Sequence, residues 1–217
     1  SSEAVAQLAI TFILNLSISF PQQLRMQVQG RFENFTDHVQ VPLRELRGQT
    51  LGLVGCGAIA QATARLAQAL GMEVLVHSRS PKPELGLAFA GLDEVLRSAD
   101  FLSLHCPLSA ETRHLIKRES LALMKPTAFL INTSRGGLVL EADLVQALRE
   151  GSIAGAGLDV QDPEPPSTEH PLFSMPNVIL TPHIGWRRRE TRQRLIDLVV
   201  ENIAGFERGQ ALHIVSA

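Results

Sequence analysis

Residues 50–79 read TLGLVGCGAIAQATARLAQALGMEVLVHSR. An apolar run at 51–54 meets Gly55-Cys56-Gly57-Ala58-Ile59-Ala60 without a break. A helical pattern follows to about Leu70, Gly71 stops it, and Val74-Leu75-Val76 makes a second apolar run. The order is strand, tight glycine turn, helix, strand: one βαβ unit. Gly55 permits the turn. Gly57 leaves the backbone open to a pyrophosphate, and Ala60 is small enough to let helix pack on strand. The helix then starts at Ala58-Ile59, where free N–H groups and a partial positive charge face the phosphates. In this frame a dinucleotide site is expected ahead of a plain packing turn.

The end of the second strand bears on which dinucleotide. An Asp or Glu there would bond the ribose hydroxyls of NAD. Here His77-Ser78-Arg79-Ser80 offers no carboxylate. Ser78, Arg79 and Ser80 suit a 2′-phosphate, with Arg79 supplying a charged fork. A solvated loop arginine is the plainer alternative. The expectation is NADP (NADPH) preferred over NAD.

The 217 residues suffice for one large domain or one and a half small ones. With 45% hydrophobic and 19% charged residues the composition is that of a globular protein. A net charge of −2 suggests neither a nucleic acid nor an anionic membrane as partner. Cys56 and Cys106 fit no metal-ligand spacing and no disulfide framework, so they read as reduced thiols of a cytoplasmic protein. The apolar segment at 5–18 has no basic leader and is too short to span a bilayer, so it reads as a buried helix and not a signal peptide.

Along the chain, residues 3–26 read as one long helix, ending near Pro21 or a turn beyond it, and 27–47 as an irregular arm anchored only by Phe32, Phe35 and Val39-Gln40-Val41-Pro42. A loop of about twenty residues is unusual inside a compact domain and is easier to explain on a second subunit. Short helices are expected at 92–98 and from 109 to 114. Further strands are expected at 101–105, 128–132, 153–159 and 178–180, with a helix at 141–150. A closing helix at 190–208 puts Leu195, Ile196, Val199, Ile203 and Phe206 on one face. This alternation predicts an α/β fold: a doubly wound parallel sheet with helices on both faces. The loops holding His77, Cys106, Thr133, Asp159 and Thr181 should then share one rim.

Three residues that can do chemistry follow strands in that rim: Arg135 in NTSRGG, Glu164 in DVQDPEP and His183 in TPHIGW. Taken singly, each reads as well as an ordinary loop residue. Together with LGLVGCGAIA, LHCPLSAETRHLI, LMKPTAFLINTSRGGLV and GAGLDV, they make the chain resemble the D-2-hydroxyacid dehydrogenases over residues 5–209. That resemblance implies a Rossmann-type domain. It implies His183 as general acid/base, Glu164 as the group that orients its imidazole, and Arg135 as the fork that grips a substrate carboxylate. It also implies that Pro107, Thr112, Thr133, Ser134, Arg135, His183 and Gly185 line the cofactor. Asp159 either bonds the nicotinamide carboxamide or caps the following turn. No metal is implied.

TPHIGW together with Ser78-Arg79 looks most like the glyoxylate and hydroxypyruvate reductases, with Trp186 as a pocket wall or a core aromatic. The basic run Arg187-Arg188-Arg189 reads as attraction for an anionic substrate or, more plainly, as a solvated helix face. A dinucleotide-binding scaffold of the corepressor type, without significant turnover, is the alternative function. The expected organisation is a linking helix and dimer arm at 1–48, the dinucleotide-binding domain at 49–186, and a closing helix with a remnant of a substrate domain at 187–217. A homodimer through the cofactor domain is expected. Most of the substrate domain of the resembled family has no counterpart here, so the sequence reads as a fragment that binds cofactor but turns over poorly alone.

Overall fold

Among the described residues, seven strands form one sheet whose neighbours are all parallel. They are β1 (Thr50–Val54), β2 (Glu73–His77), β3 (Ala88–Phe89), β4 (Phe101–Leu104), β5 (Phe129–Asn132), β6 (Gly155–Leu158) and β7 (Val178–Leu180). The computed structural model describes residues 2–30, 43–210 and 212–213. Strand order is β3-β2-β1-β4-β5-β6-β7. The chain winds outward from β1 to β3, then restarts at β4 on the other side of β1. That reversal is the place where open parallel sheets bind ligands.

Side chains alternate across the sheet, as a period of two requires. Leu51, Leu53, Val74, Val76, Phe129 and Ile131 join one core with α1 (Ser2–Ser17) and α3 (Ala58–Ala69). Phe101 stacks on Phe129 in the same layer, ring centroids 5.2 Å apart. Val54, Leu102, Leu104, Leu130 and Leu158 join the opposite core with α4 (Leu92–Ser98), α5 (Arg118–Leu121) and α6 (Glu141–Glu150). Both faces are thus covered, which is why the strands are runs of Leu, Val, Ile and Phe with little polar alternation.

The N-terminal segment is not one helix. It breaks between α1 and α2 (Phe20–Val28), which meet at a bend of 64°. Pro21 cannot donate to the Ser17 carbonyl, and its ring would collide with it. The freed carbonyl accepts the Arg44 N–H at 3.0 Å, and Ser19 turns the chain with φ 50°. No single helix among the described residues is long and apolar enough to cross a membrane. Helix α1 is buried, as its sequence suggests: Leu8, Phe12, Ile13 and Leu16 are nearly inaccessible, each worth about 2 kcal/mol. Its apolar face is therefore used within the fold, leaving Leu14 and Ile18 exposed. Of the expected dimer arm, residues 31–42, with Phe32, Phe35 and Pro42, lie outside the described residues.

Three further expectations change. Residues 109–114 form a turn instead of the start of a helix, ended by His114 at φ 52°. Strand β3 and helix α5 were not legible, being only two and four residues long. The closing helix α7 (Arg189–Glu207) forms where expected but buries only Thr191 and Gly205. Leu195, Ile196, Val199 and Ile203 are half exposed and Phe206 is 84% exposed, because no described element lies against that face.

Candidate active site

At the β1 end, the glycine turn is forced by its neighbours. Gly55 has φ 107°, a region closed to most side chains, and a Cβ there would lie 2.6 Å from the His105 carbonyl oxygen. The turn is pinned further by the Gly55 N–H donating to the His77 carbonyl at 2.8 Å. At Gly57, which precedes α3, a Cβ would meet no protein atom within 4 Å, so the backbone there faces open space. Ala60 is buried against the sheet.

A cavity of 380 Å³ opens beside this turn and includes Ser78, Arg79, Ser80, Pro107 and Thr112 in its wall. Ser78 Oγ bonds within its own loop, donating to the Ser80 carbonyl at 3.1 Å. The Thr112 hydroxyl closes the neighbouring turn: it donates to the Pro107 carbonyl and accepts the Ser109 N–H, both at 2.7 Å. Glu111 lies on the same wall, unremarked in the sequence. The Ser109 hydroxyl lowers its carboxyl below the usual range, with a smaller contribution from the charge of Arg79.

A second cavity, of 760 Å³, shares His105, Cys106 and Pro107 with the first. Its wall runs from Ile59 at the start of α3 past Thr133, Ser134 and Arg135 to Asp159, His183 and Trp186. The parallel register explains the gathering, since each of these loops follows the C-terminal end of a strand. Asn132 is the hidden organiser of the Arg135 turn. Buried at the end of β5, it donates to the Arg135 carbonyl at 2.9 Å and accepts the Ser134 N–H at 3.0 Å. Ser134 Oγ reaches back to the Leu104 carbonyl at 2.7 Å. The Arg135 side chain is exposed, and among the described residues it bonds only to the neighbouring Ser134 carbonyl. Gly136 must be glycine, because a Cβ would fall 2.0 Å from the Gln161 carbonyl oxygen. The Arg135 turn and the Glu164 loop are thus in direct backbone contact.

His183 Nδ1 lies 2.8 Å from Glu164 Oε2. The other carboxylate oxygen of Glu164 accepts the Gln161 N–H at 2.9 Å. His183 Nε2 has no partner among the described residues, and the ring is partly exposed to the cleft. The backbone of His183 is held in the left-handed region at φ 51°, an uncommon state for a residue with a side chain. Asp159 holds it there. That buried carboxylate accepts the Ile184 and Gly185 N–H groups, both at 2.8 Å, and the Thr181 hydroxyl at 2.5 Å. The Asp159 carbonyl also takes the His183 N–H at 2.9 Å. Asp159 therefore caps the His183 loop, not the turn that follows it in sequence. Gly185 is buried against it.

Buried polar groups left without partners are rare and mark where something else binds. Two lie in this cleft: the Thr133 hydroxyl and His105 Nδ1. His105 Nε2 meets Ser103 Oγ at 2.9 Å, and burial pushes the imidazole down to about 4, so it is neutral at ordinary pH. Burial likewise pushes the Cys106 thiol up, so it is not a reactive thiolate. Open backbone at a helix start, an unpartnered hydroxyl and two joined cavities fit an elongated dinucleotide.

The family model for the D-isomer specific 2-hydroxyacid dehydrogenase NAD-binding domain matches residues 10–185. The chain belongs to the D-2-hydroxyacid dehydrogenase family. It is 39% identical over 218 residues to the hydroxypyruvate reductase of Blautia hydrogenotrophica, covering 98% of this chain and 68% of that one. It is 48% identical over 170 residues to the glyoxylate reductase of Aeropyrum pernix, covering 76% of this chain and 51% of the relative. Among solved structures, D-lactate dehydrogenase with NAD+ from Lactobacillus jensenii superimposes with a TM-score of 0.91 at 32% identity, covering all of this chain and 69% of that one. The chain thus spans between half and about two thirds of these relatives, and the family part it contains is the NAD(P)-binding domain.

Proposed function

We propose that this chain is the cofactor and acid–base part of a reductase that converts a small 2-keto acid, glyoxylate or hydroxypyruvate, to its 2-hydroxy acid. The observation that carries the reading is the 2.8 Å pair of His183 and Glu164 on the same cleft as Arg135 and the glycine turn. When bound, the reduced nicotinamide supplies the hydride. Glu164 accepts a hydrogen bond from His183 Nδ1, so Nε2 is the nitrogen left to give a proton to the substrate carbonyl oxygen. Arg135 carries a planar fork suited to a carboxylate, and its charge favours the negative charge developing on the carbonyl oxygen. Thr133 has a free hydroxyl with which to hold the cofactor or substrate. Relatives named hydroxypyruvate and glyoxylate reductase favour the enzyme over the cofactor-sensing scaffold.

The preference for NADPH rests on Arg79 and on the lack of a carboxylate at Ser78. Residues 49–186 serve as the dinucleotide-binding unit, 1–48 as linking segment and dimer arm, and 187–217 as the part that carries the closing helix and a remnant of the substrate domain. Pairing of two copies would use the apolar residues left exposed near the bend, such as Phe20 and Leu24. The test is oxidation of NADPH, and of NADH in parallel, by the purified chain with hydroxypyruvate and then glyoxylate. Slow turnover favouring NADPH is expected, with Arg79→Ser reducing that preference about tenfold. Saturable binding of neither dinucleotide would defeat the reading.

A further inference from the structure

The loop at 161–166, which carries Glu164, has little of its own to hold it. Three of its six residues are prolines, which have no N–H. Among the described residues no backbone–backbone hydrogen bond ties it to another segment. The Gln161 N–H goes to the Glu164 side chain. The Asp162 N–H goes outward instead, to Glu141 Oε1 at 3.0 Å. Glu141 is the first residue of α6, where a carboxylate suits the helix N-terminus. Its other oxygen lies 3.1 Å from His170 Nε2, and both side chains are mostly buried. Burial raises the Glu141 carboxyl, opposed by the Asp162 N–H and by His170. Arg113 adds only a longer, exposed contact to Asp162, at 3.3 Å. The Glu141 end of the Asp162 bond is the buried one, held in place by His170, while Asp162 itself is exposed.

We propose that Glu141 is the positioning residue of the His183–Glu164 pair: by anchoring the Asp162 N–H it holds the loop so that Glu164 meets His183 Nδ1. The proposal rests on that pair being the acid–base pair. It places a structural requirement for the chemistry on a helix 42 residues before His183 in sequence.

The test reads which ring nitrogen of His183 carries the proton, by long-range nitrogen–proton NMR on the histidine-labelled chain at a pH where imidazoles are neutral. In the unaltered chain the proton is expected on Nδ1, facing Glu164. Glu164→Ala removes that acceptor and should move the proton toward Nε2. Glu141→Ala should reproduce more than about half of that movement. Glu141→Gln keeps an acceptor for the Asp162 N–H and should restore the Nδ1 form. If Glu141→Ala does not fold, Glu141→Ala with His170→Asn leaves no unpaired histidine and carries the same expectation. A response to Glu164→Ala with none to Glu141→Ala overturns the proposal and spares the pair. No response to either overturns both.

Discussion

The two ends of the cleft are built in different ways. At the Gly55 end most of the wall comes from one βαβ unit, completed by the loop after β4, and its shape is set by backbone: a positive φ, a helix start and a loop that folds on itself. At the His183 end the wall comes from three separate loops, fastened by side chains. Glu164 meets His183 across 19 residues, and Asp159 grips the His183 loop across 22 to 26. A locally built end can be damaged only by crowding its backbone. An end built from side-chain bonds can lose its chemistry while the fold survives.

The sharpest way to break this comparison is His183→Asn. Loss of a general acid/base should lower kcat/KM by about 10³-fold, with dinucleotide affinity changed less than about twofold, as steady-state kinetics and fluorescence titration would show. An equal loss of binding would mean that His183 belongs to the cofactor end as well.

The two glycines sharpen it from the other side. Gly55→Ala puts a Cβ onto the His105 carbonyl at a forbidden φ and should cost about 3 kcal/mol or more of stability. Gly57→Ala meets no protein atom, so its melting temperature should hold while dinucleotide affinity falls about tenfold. Thermal unfolding with and without NADPH separates the two.

His105 lies where the ends join, and its effect appears only on acidification. Unfolded, its imidazole takes a proton near 6.5; folded, only near 4. The unfolded chain therefore binds more protons between these values, and stability falls as pH drops through that window. The loss reaches at most about 3 kcal/mol below pH 4, and is absent above 6.5. The ring edge meets the cleft, which lowers that figure. Denaturant unfolding of the wild type and of His105→Asn at pH 7 and at about pH 4.5 isolates the contribution, since the variant lacks it.

Much of this was legible because apolar runs and glycines act locally. The βαβ unit, the sheet class and the helices at 92–98 and 141–150 follow from periodicity and turn residues alone. Pro21 marks where the first helix can end, but nothing in the apolar pattern shows that a second helix starts at Phe20 in a new direction. Helices α1 and α7 both show apolar residues at helical spacing, yet one is buried and the other bare. Periodicity says that a face exists and not what covers it. The strand ends put Arg135, Glu164 and His183 on one rim, but the bonds that aim them involve Asn132, Asp159 and Glu141. The Asp159 and Glu141 bonds are long-range and invisible to local spacing, whereas Asn132 bonds only two and three residues along the chain. His105 read only as a strand residue, because its missing partner appears only once β4 is packed.

A single dinucleotide should span both ends. The most direct measurement is amide NMR of the chain titrated with NADPH, following Gly55 and Gly57 at one end and Thr133 and His183 at the other. One saturation curve, with the same midpoint at both ends, is the predicted result. Shifts confined to the glycine turn, or none at all, would contradict it.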